Sequence, residues 1–167
     1  SISQLLDKLV DQVIEVSNAE RGFIILLSDN EPKVAVGRNL HKENLADALD
    51  LFSDSIVSQV IKEQKALIIS DALQDETFKT SVSVVQLQLS SVMCLPLRDR
   101  GKLLGVLYVG NSRINSLFDN QSLKLLTIFA AQASLLLQNA LLVNDLVLDK
   151  QQLAERIDEL QYSGIIG

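Results

Sequence analysis

The sequence predicts an α+β fold: a central antiparallel sheet flanked by helices, with a long helix at each end of the chain. Three observations carry this. Short apolar runs rich in Ile, Val and Phe end in turn residues, as strands do. The start of the chain and the stretch after Asp119 repeat their apolar residues at helical spacing. A reversal at Arg100-Gly101 joins two of the apolar runs into a hairpin. With 167 residues, the chain is sized for one core rather than two. Aromatic residues make up 4% and there is no Trp, so that core must be built from Leu, Ile and Val.

Each element follows from its local pattern. Ile2, Leu5, Leu6, Leu9, Val10, Val13 and Ile14 form one apolar stripe of a first amphipathic helix. Gly22 to Ser28 is an apolar run closed by Asp29-Asn30-Glu31-Pro32, which reads as a buried strand. The alternation in Lys33 to Gly37 makes a second, antiparallel strand. Leu40 to Phe52 is mixed and reads as a loop with one helical turn. Ser53 or Asp54 can cap a helix whose Ile56, Val57, Val60 and Ile61 share a face. Ala66 to Ile69 is a further strand, Leu73 to Lys79 is irregular, and Val82 to Leu89 fits a short helix. Ser91 to Arg98 and Leu103 to Val109 form the hairpin around Arg100-Gly101, where glycine supplies the positive φ of the reversal. Pro96 has no N–H and belongs at an edge or a bulge.

Asp119 is a helix N-cap, and no Gly or Pro follows it until Gly164. Within that stretch Leu123, Leu126, Ala130, Ala133, Leu137, Ala140, Asn144 and Val147 alternate at spacings of three and four, a heptad seam. Its small residues would let two helices approach closely. The positions from Leu126 to Val147 are therefore expected to form a homodimer interface, joined by the N-terminal helix. Leu125, Phe129, Leu136 and Leu141 widen the apolar surface, so one face can cover the sheet while another meets a second chain. Beyond Asp149 the seam shifts to Leu153, Ile157 and Leu160, which reads as a coiled-coil output helix. The expected division is a domain over 1–148 and a linker over 149–167.

Charge and composition exclude several roles. A net charge of -6 with no cluster of Lys and Arg repels phosphates, so no direct nucleic-acid contact is expected. Cys94 is the only cysteine, which excludes an internal disulfide and a cysteine-based zinc cluster. No apolar run reaches the roughly 20 residues of a membrane span, and Ser1-Ile2-Ser3-Gln4 does not resemble a signal peptide. A cytoplasmic protein with no membrane partner is expected. The chain begins at Ser1 rather than Met and reads as a piece of a longer protein.

The order of elements, Glu20-Arg21-Gly22-Phe23-Ile24-Ile25-Leu26, the hairpin of Ser91 to Leu97 with Gly101 to Tyr108, and Phe118-Asp119 together resemble a GAF domain over about residues 1 to 145. The resemblance implies a GAF/PAS-like fold and a regulatory role in bacterial signal transduction. At the C-terminus, Tyr162-Ser163-Gly164-Ile165-Ile166-Gly167 looks like the entry to the AAA+ ATPase domain of sigma-54-dependent transcription activators, which makes such a domain an expected downstream partner.

In that family a pocket lies between one sheet face and the helices and loops of the middle segment. The resemblance therefore points to Phe23, Ile25, Phe78, Leu87, Met93 and Leu95 as lining, with Arg21, Asp71 and Ser91 as its polar residues. The same strand positions also read as ordinary core, Asp71 as a turn residue and Arg21 as a solvated one. Of the signature in cyclic-nucleotide-binding relatives, Asn111 and Phe118-Asp119 match, while Ser112 and Asn120 stand where Lys and Glu are required. No resident cofactor is expected. One cysteine offers no resolving partner for sulfoxide reduction, and Cys94 lies in a segment unlike the bilin-attachment site of photoreceptor relatives. His41 is the single histidine, and no nucleophile–base pair accompanies it. Two readings stay open: a non-catalytic sensor of a small-molecule effector, and a ligand-free dimerisation spacer whose pocket is filled by its own side chains.

Overall fold

The structure, a computed structural model, describes residues 1–29 and 31–140. Its elements are α1 (Ile2–Ser17), β1 (Arg21–Ser28), β2 (Glu31–Asn39), α2 (Asp54–Glu63), β3 (Leu67–Ile69), α3 (Val82–Leu87), β4 (Ser91–Asp99) and β5 (Lys102–Asn111), followed by a helix α4 over 120–140. The five strands form one antiparallel sheet in the order β2-β1-β5-β4-β3. The fold class is as the sequence predicts.

The hairpin between β4 and β5 closes with Arg100 at φ 51° and Gly101 at φ 81°, two successive left-handed residues that match the twist of the strands. Pro96 lies beyond the last residue of β4 paired with β3, Cys94, so its missing N–H interrupts no ladder on that side. Pro32 extends β2 further toward the turn than the alternation indicates, which an edge strand tolerates. The expected turn between Leu40 and Phe52 is a 3-10 turn at Ala48–Asp50. Ser53 caps α2 by accepting the N–H of Ile56, and Asp119 caps α4 by accepting the N–H of Ser122 at 2.9 Å.

The sheet is buried on both faces. One face, carrying Ile24, Val36, Met93, Leu95, Leu97, Leu107 and Val109, is covered by α1 and α4. The other, carrying Phe23, Ile25, Val92, Cys94, Val106 and Tyr108, is covered by α2, α3 and the loops beside them. Helix α1 is further fixed to β2 by Arg38, whose Nε and Nη2 each donate to an Asp11 carboxylate oxygen at 2.9 Å. The same guanidinium donates to the Lys42 carbonyl and the Asn44 side chain, so one side chain holds both the helix and the loop after β2.

The predicted seam on α4 needs correction. Leu126, Ala130, Ala133 and Leu137 are buried in the core beneath the helix, covered by this chain's own residues, and Ala140 is half-buried. The small side chains at Ala130 and Ala133 bring the helix close to the sheet instead of to a second helix. Among the described residues of α4, the large apolar side chains left exposed are Leu125, Ile128 and Leu135, a stripe displaced by one to two residues. Asn144 and Val147, the linker over 149–167 and the ending at Tyr162 to Gly167 lie outside the described residues.

Candidate functional site

The space between the sheet and α2 and α3, where the sequence places a pocket, is built around three aromatic rings. Phe23 on β1, Tyr108 on β5 and Phe52 just before α2 meet edge to face, with centroids 5.5, 5.6 and 6.0 Å apart. Phe23 and Tyr108 stand opposite each other in the β1–β5 register, which brings them together from distant parts of the chain. The Tyr108 hydroxyl oxygen accepts the Ser53 N–H at 3.1 Å and so joins the sheet to the N-cap of α2. Burial pushes the pKa of this phenol up, as it does that of the Cys94 thiol. The shift favours the protonated form of each.

A ring of hydroxyls joins the starts of α2 and α3. Ser53 and Ser55 at the start of α2 bond to Ser81 and Ser83 at the start of α3, at 2.8 Å for Ser53–Ser83 and 2.6 Å for Ser55–Ser81. These hydroxyls satisfy one another and hold the two helices together.

Among the described residues, two openings remain on this side of the sheet: a groove of about 400 Å³ along α2, bordered by Leu27, Phe52, Val57 and Ile61, and a space of about 10 Å³ bordered by Arg21, Leu51, Leu87 and Tyr108. The smaller is room for at most one water molecule. The rings of Phe23, Phe52 and Tyr108 fill the interior between them.

The candidate residues divide across the sheet. Phe23, Ile25, Phe78 and Leu87 do face this interior, and Arg21 borders the smaller of its openings. Met93 and Leu95 do not: they point to the opposite face, against α1 and α4. The β4 side chains on the aromatic side are Val92 and Cys94. Ser91 is spent on structure, accepting the Leu117 N–H at 3.1 Å and standing within hydrogen-bond reach of the Ser70 and Ile114 carbonyls. Asp71 accepts from the Asn115 amide at 3.4 Å in a partly exposed turn. Phe52 and Tyr108, which define the site, are not among the residues the sequence points to, and Ser53 is legible in it only as a helix cap. The Asn111 side chain accepts the N–H groups of Arg113 and Ile114, Phe118 is core, and Asp119 is a cap. His41 is exposed, and no group of His, Cys, Asp and Glu among the described residues is placed to hold a metal.

The match to known proteins follows the same outline. Residues 1–138 match the family model described as GAF domain, and the chain belongs to that family. It is 30% identical over 86 residues to the hybrid signal transduction histidine kinase G of Dictyostelium discoideum, covering 52% of this chain and 2% of that protein. Among solved structures it is similar to the photoproduct state of GAF3 from Slr1393 of Synechocystis sp. PCC6803, at 13% identity and TM-score 0.71 over 87% of this chain and 99% of that one. It is also similar to the GAF domain from the Acinetobacter phosphoenolpyruvate-protein phosphotransferase, at 21% identity and TM-score 0.65 over 87% of each chain. These likenesses establish the fold. No helix among the described residues is long and apolar enough to cross a membrane.

Proposed function

We propose that this chain is the non-catalytic input domain of a larger cytoplasmic signalling protein. In this reading it acts as a homodimer whose sheet–helix packing is altered by an effector and read out along α4. The observation that carries the reading is the two-sided character of that helix. Its inner stripe, Leu126 to Leu137, is packed on the sheet, while Leu125, Ile128 and Leu135 remain 39, 59 and 58% exposed on the outside. A helix with apolar residues on both sides can pass a shift in sheet packing to a partner helix, as a change in population between two arrangements. Leu5 and Val16 leave α1 an exposed apolar contribution to the same contact. For the output, the ending Tyr162 to Gly167 favours an AAA+ ATPase of the sigma-54-dependent class. The single buried thiol suits a reducing compartment.

A specific observation favours the second reading, a dimerisation spacer that senses nothing: the interior between the sheet and the start of α2 is filled by Phe23, Phe52 and Tyr108. Native mass spectrometry of the purified chain separates the two. A dimer carrying retained mass supports the sensor and identifies what it holds, and a bare dimer that no metabolite stabilises supports the spacer. A monomer removes the proposed route of output from both.

A further inference from the structure

A second apolar groove, larger than the one along α2, lies on the face away from the aromatic trio. It measures about 590 Å³ and opens where the start of α1 and the end of the described part of α4 part over the lower ends of β1, β2 and β5. Leu6 of α1, Leu26 of β1, Leu104 of β5 and Leu137 of α4 line it. A volume of this order is typical of small-molecule sites, about 300–1,000 Å³.

Among the described residues, the charged ones bordering the groove are Lys33 and Lys102, both cations in a chain of net charge -6. Neither ammonium is in an ion pair with another described residue. Lys33 reaches this face because the β1–β2 register shifts between Ile24 and Ile25: the partners step from Val36 to Val34, and Lys33 then stands opposite Leu26. Ser28 adds a hydroxyl beside the lysines.

We infer that this groove binds an amphipathic carboxylate, its apolar chain against the four leucines and its head group met by Lys33 and Lys102. Charge complementarity selects an anion, and the concavity selects a flexible apolar tail over a flat partner surface. A second copy seated by a twofold axis on the same patch would bring its own two lysines to these two, and the repulsion disfavours it. The inference rests on the sensor reading and gives it a chemistry. A ligand held here touches α1, α4 and the sheet together, so its binding acts directly on the packing that the output helix reports.

The test is isothermal titration calorimetry of the full chain with sodium decanoate below its micelle concentration, with decyltrimethylammonium as a probe of the same tail and opposite charge. Decanoate is expected to bind saturably at one per chain and decyltrimethylammonium more weakly. The double variant Lys33→Glu/Lys102→Glu, altered only at exposed positions, is expected to lose decanoate affinity by about tenfold and to reverse the preference. Leu26→Trp, which fills the groove, is expected to abolish binding of both. The proposal is overturned by an absence of saturable decanoate binding, by equal affinity in the double variant, or by indifference to head-group charge. It is equally overturned if decanoate affinity falls as protein concentration rises, which would mean that a second copy occupies the groove. Should decanoate fail while purified dimer still carries retained mass, the site is wrong and the sensor reading survives.

Discussion

Tyr108 and Ser53, 55 residues apart in the chain, are joined by a hydrogen bond from the Ser53 N–H to the Tyr108 hydroxyl oxygen at 3.1 Å. One end is a strand side chain in the middle of the sheet, and the other is the residue that caps α2. The helix is therefore positioned by the sheet at its N-cap, in a buried part of the core.

Replacing Tyr108 by Phe keeps the ring in the aromatic trio and removes the acceptor. The Ser53 N–H is then buried without a partner, at a cost of about 1–3 kcal/mol. Tyr108→Ala removes the ring as well and is expected to cost about 3–5 kcal/mol through the cavity it leaves. Urea unfolding followed by circular dichroism measures both. A midpoint unchanged in Tyr108→Phe would show that the bond contributes nothing net.

The same two residues mark where the sequence was legible and where it was not. Elements were readable because their ends carry chemistry: Ser53 and Asp119 as caps, Arg100-Gly101 as a turn. Strand facing was not. Val92, Met93, Cys94 and Leu95 are apolar at every position because β4 is buried on both faces, and a strand without alternation gives no sign of which side chains share a face. For that reason the sequence points to Met93 and Leu95 as lining of a pocket that they do not face. Helix α4 poses the same problem around a circle. It carries Leu, Ile, Phe or Ala at most positions from Leu123 to Leu137, so the helical period alone cannot say which stripe meets the sheet. The packing of α4 on β4 and β5 decides it, and that is tertiary information.

Gly105 is required where β5 passes β1. A Cβ at this position would collide with the Ile25 carbonyl oxygen and come within 2.9 Å of the Leu26 Cα. Both are backbone atoms of a central strand, so neither can move without breaking the ladder. Gly105→Ala is expected to destabilise the fold by about 3 kcal/mol or more. Thermal melting monitored in the far ultraviolet checks this, and a melting temperature equal to that of the parent would mean that the strands separate here at little cost.

Asp119 gives a pH dependence with a definite sign. The N–H and hydroxyl of Ser122 donate to its carboxylate and hold its pKa below the ordinary 3.8. A folded-state value below the unfolded one means that the stabilisation is present above the ordinary pKa and is lost as pH falls through the folded value. Asp119→Asn still caps the helix but does not titrate. The advantage of the parent over Asp119→Asn is therefore expected near neutral pH and should shrink as pH falls below the ordinary carboxylate pKa. Asp119→Ala should melt lower than both at neutral pH. Parallel melting curves for parent and Asn variant across the whole acid range would show that the carboxylate charge plays no part.

The placement of α4 makes the two sides of the helix separable by mutation. A carboxylate at Ala133 or Leu137 enters the core beneath the helix, where an unpaired charge costs several kcal/mol. Ala133→Glu and Leu137→Glu are expected to unfold the chain, and the loss of a dimer in either would say nothing about the interface. Ile128→Glu and Leu135→Glu place the same charge on the exposed stripe. Each is expected to leave the circular dichroism spectrum unchanged and to weaken self-association by about tenfold or more, since two copies would then oppose like charges across the contact. Sedimentation equilibrium with the spectrum recorded on the same samples distinguishes the cases. Undiminished self-association in both exposed variants would place the dimer contact elsewhere on the domain, and the path from sheet to output helix would have to be drawn through α1.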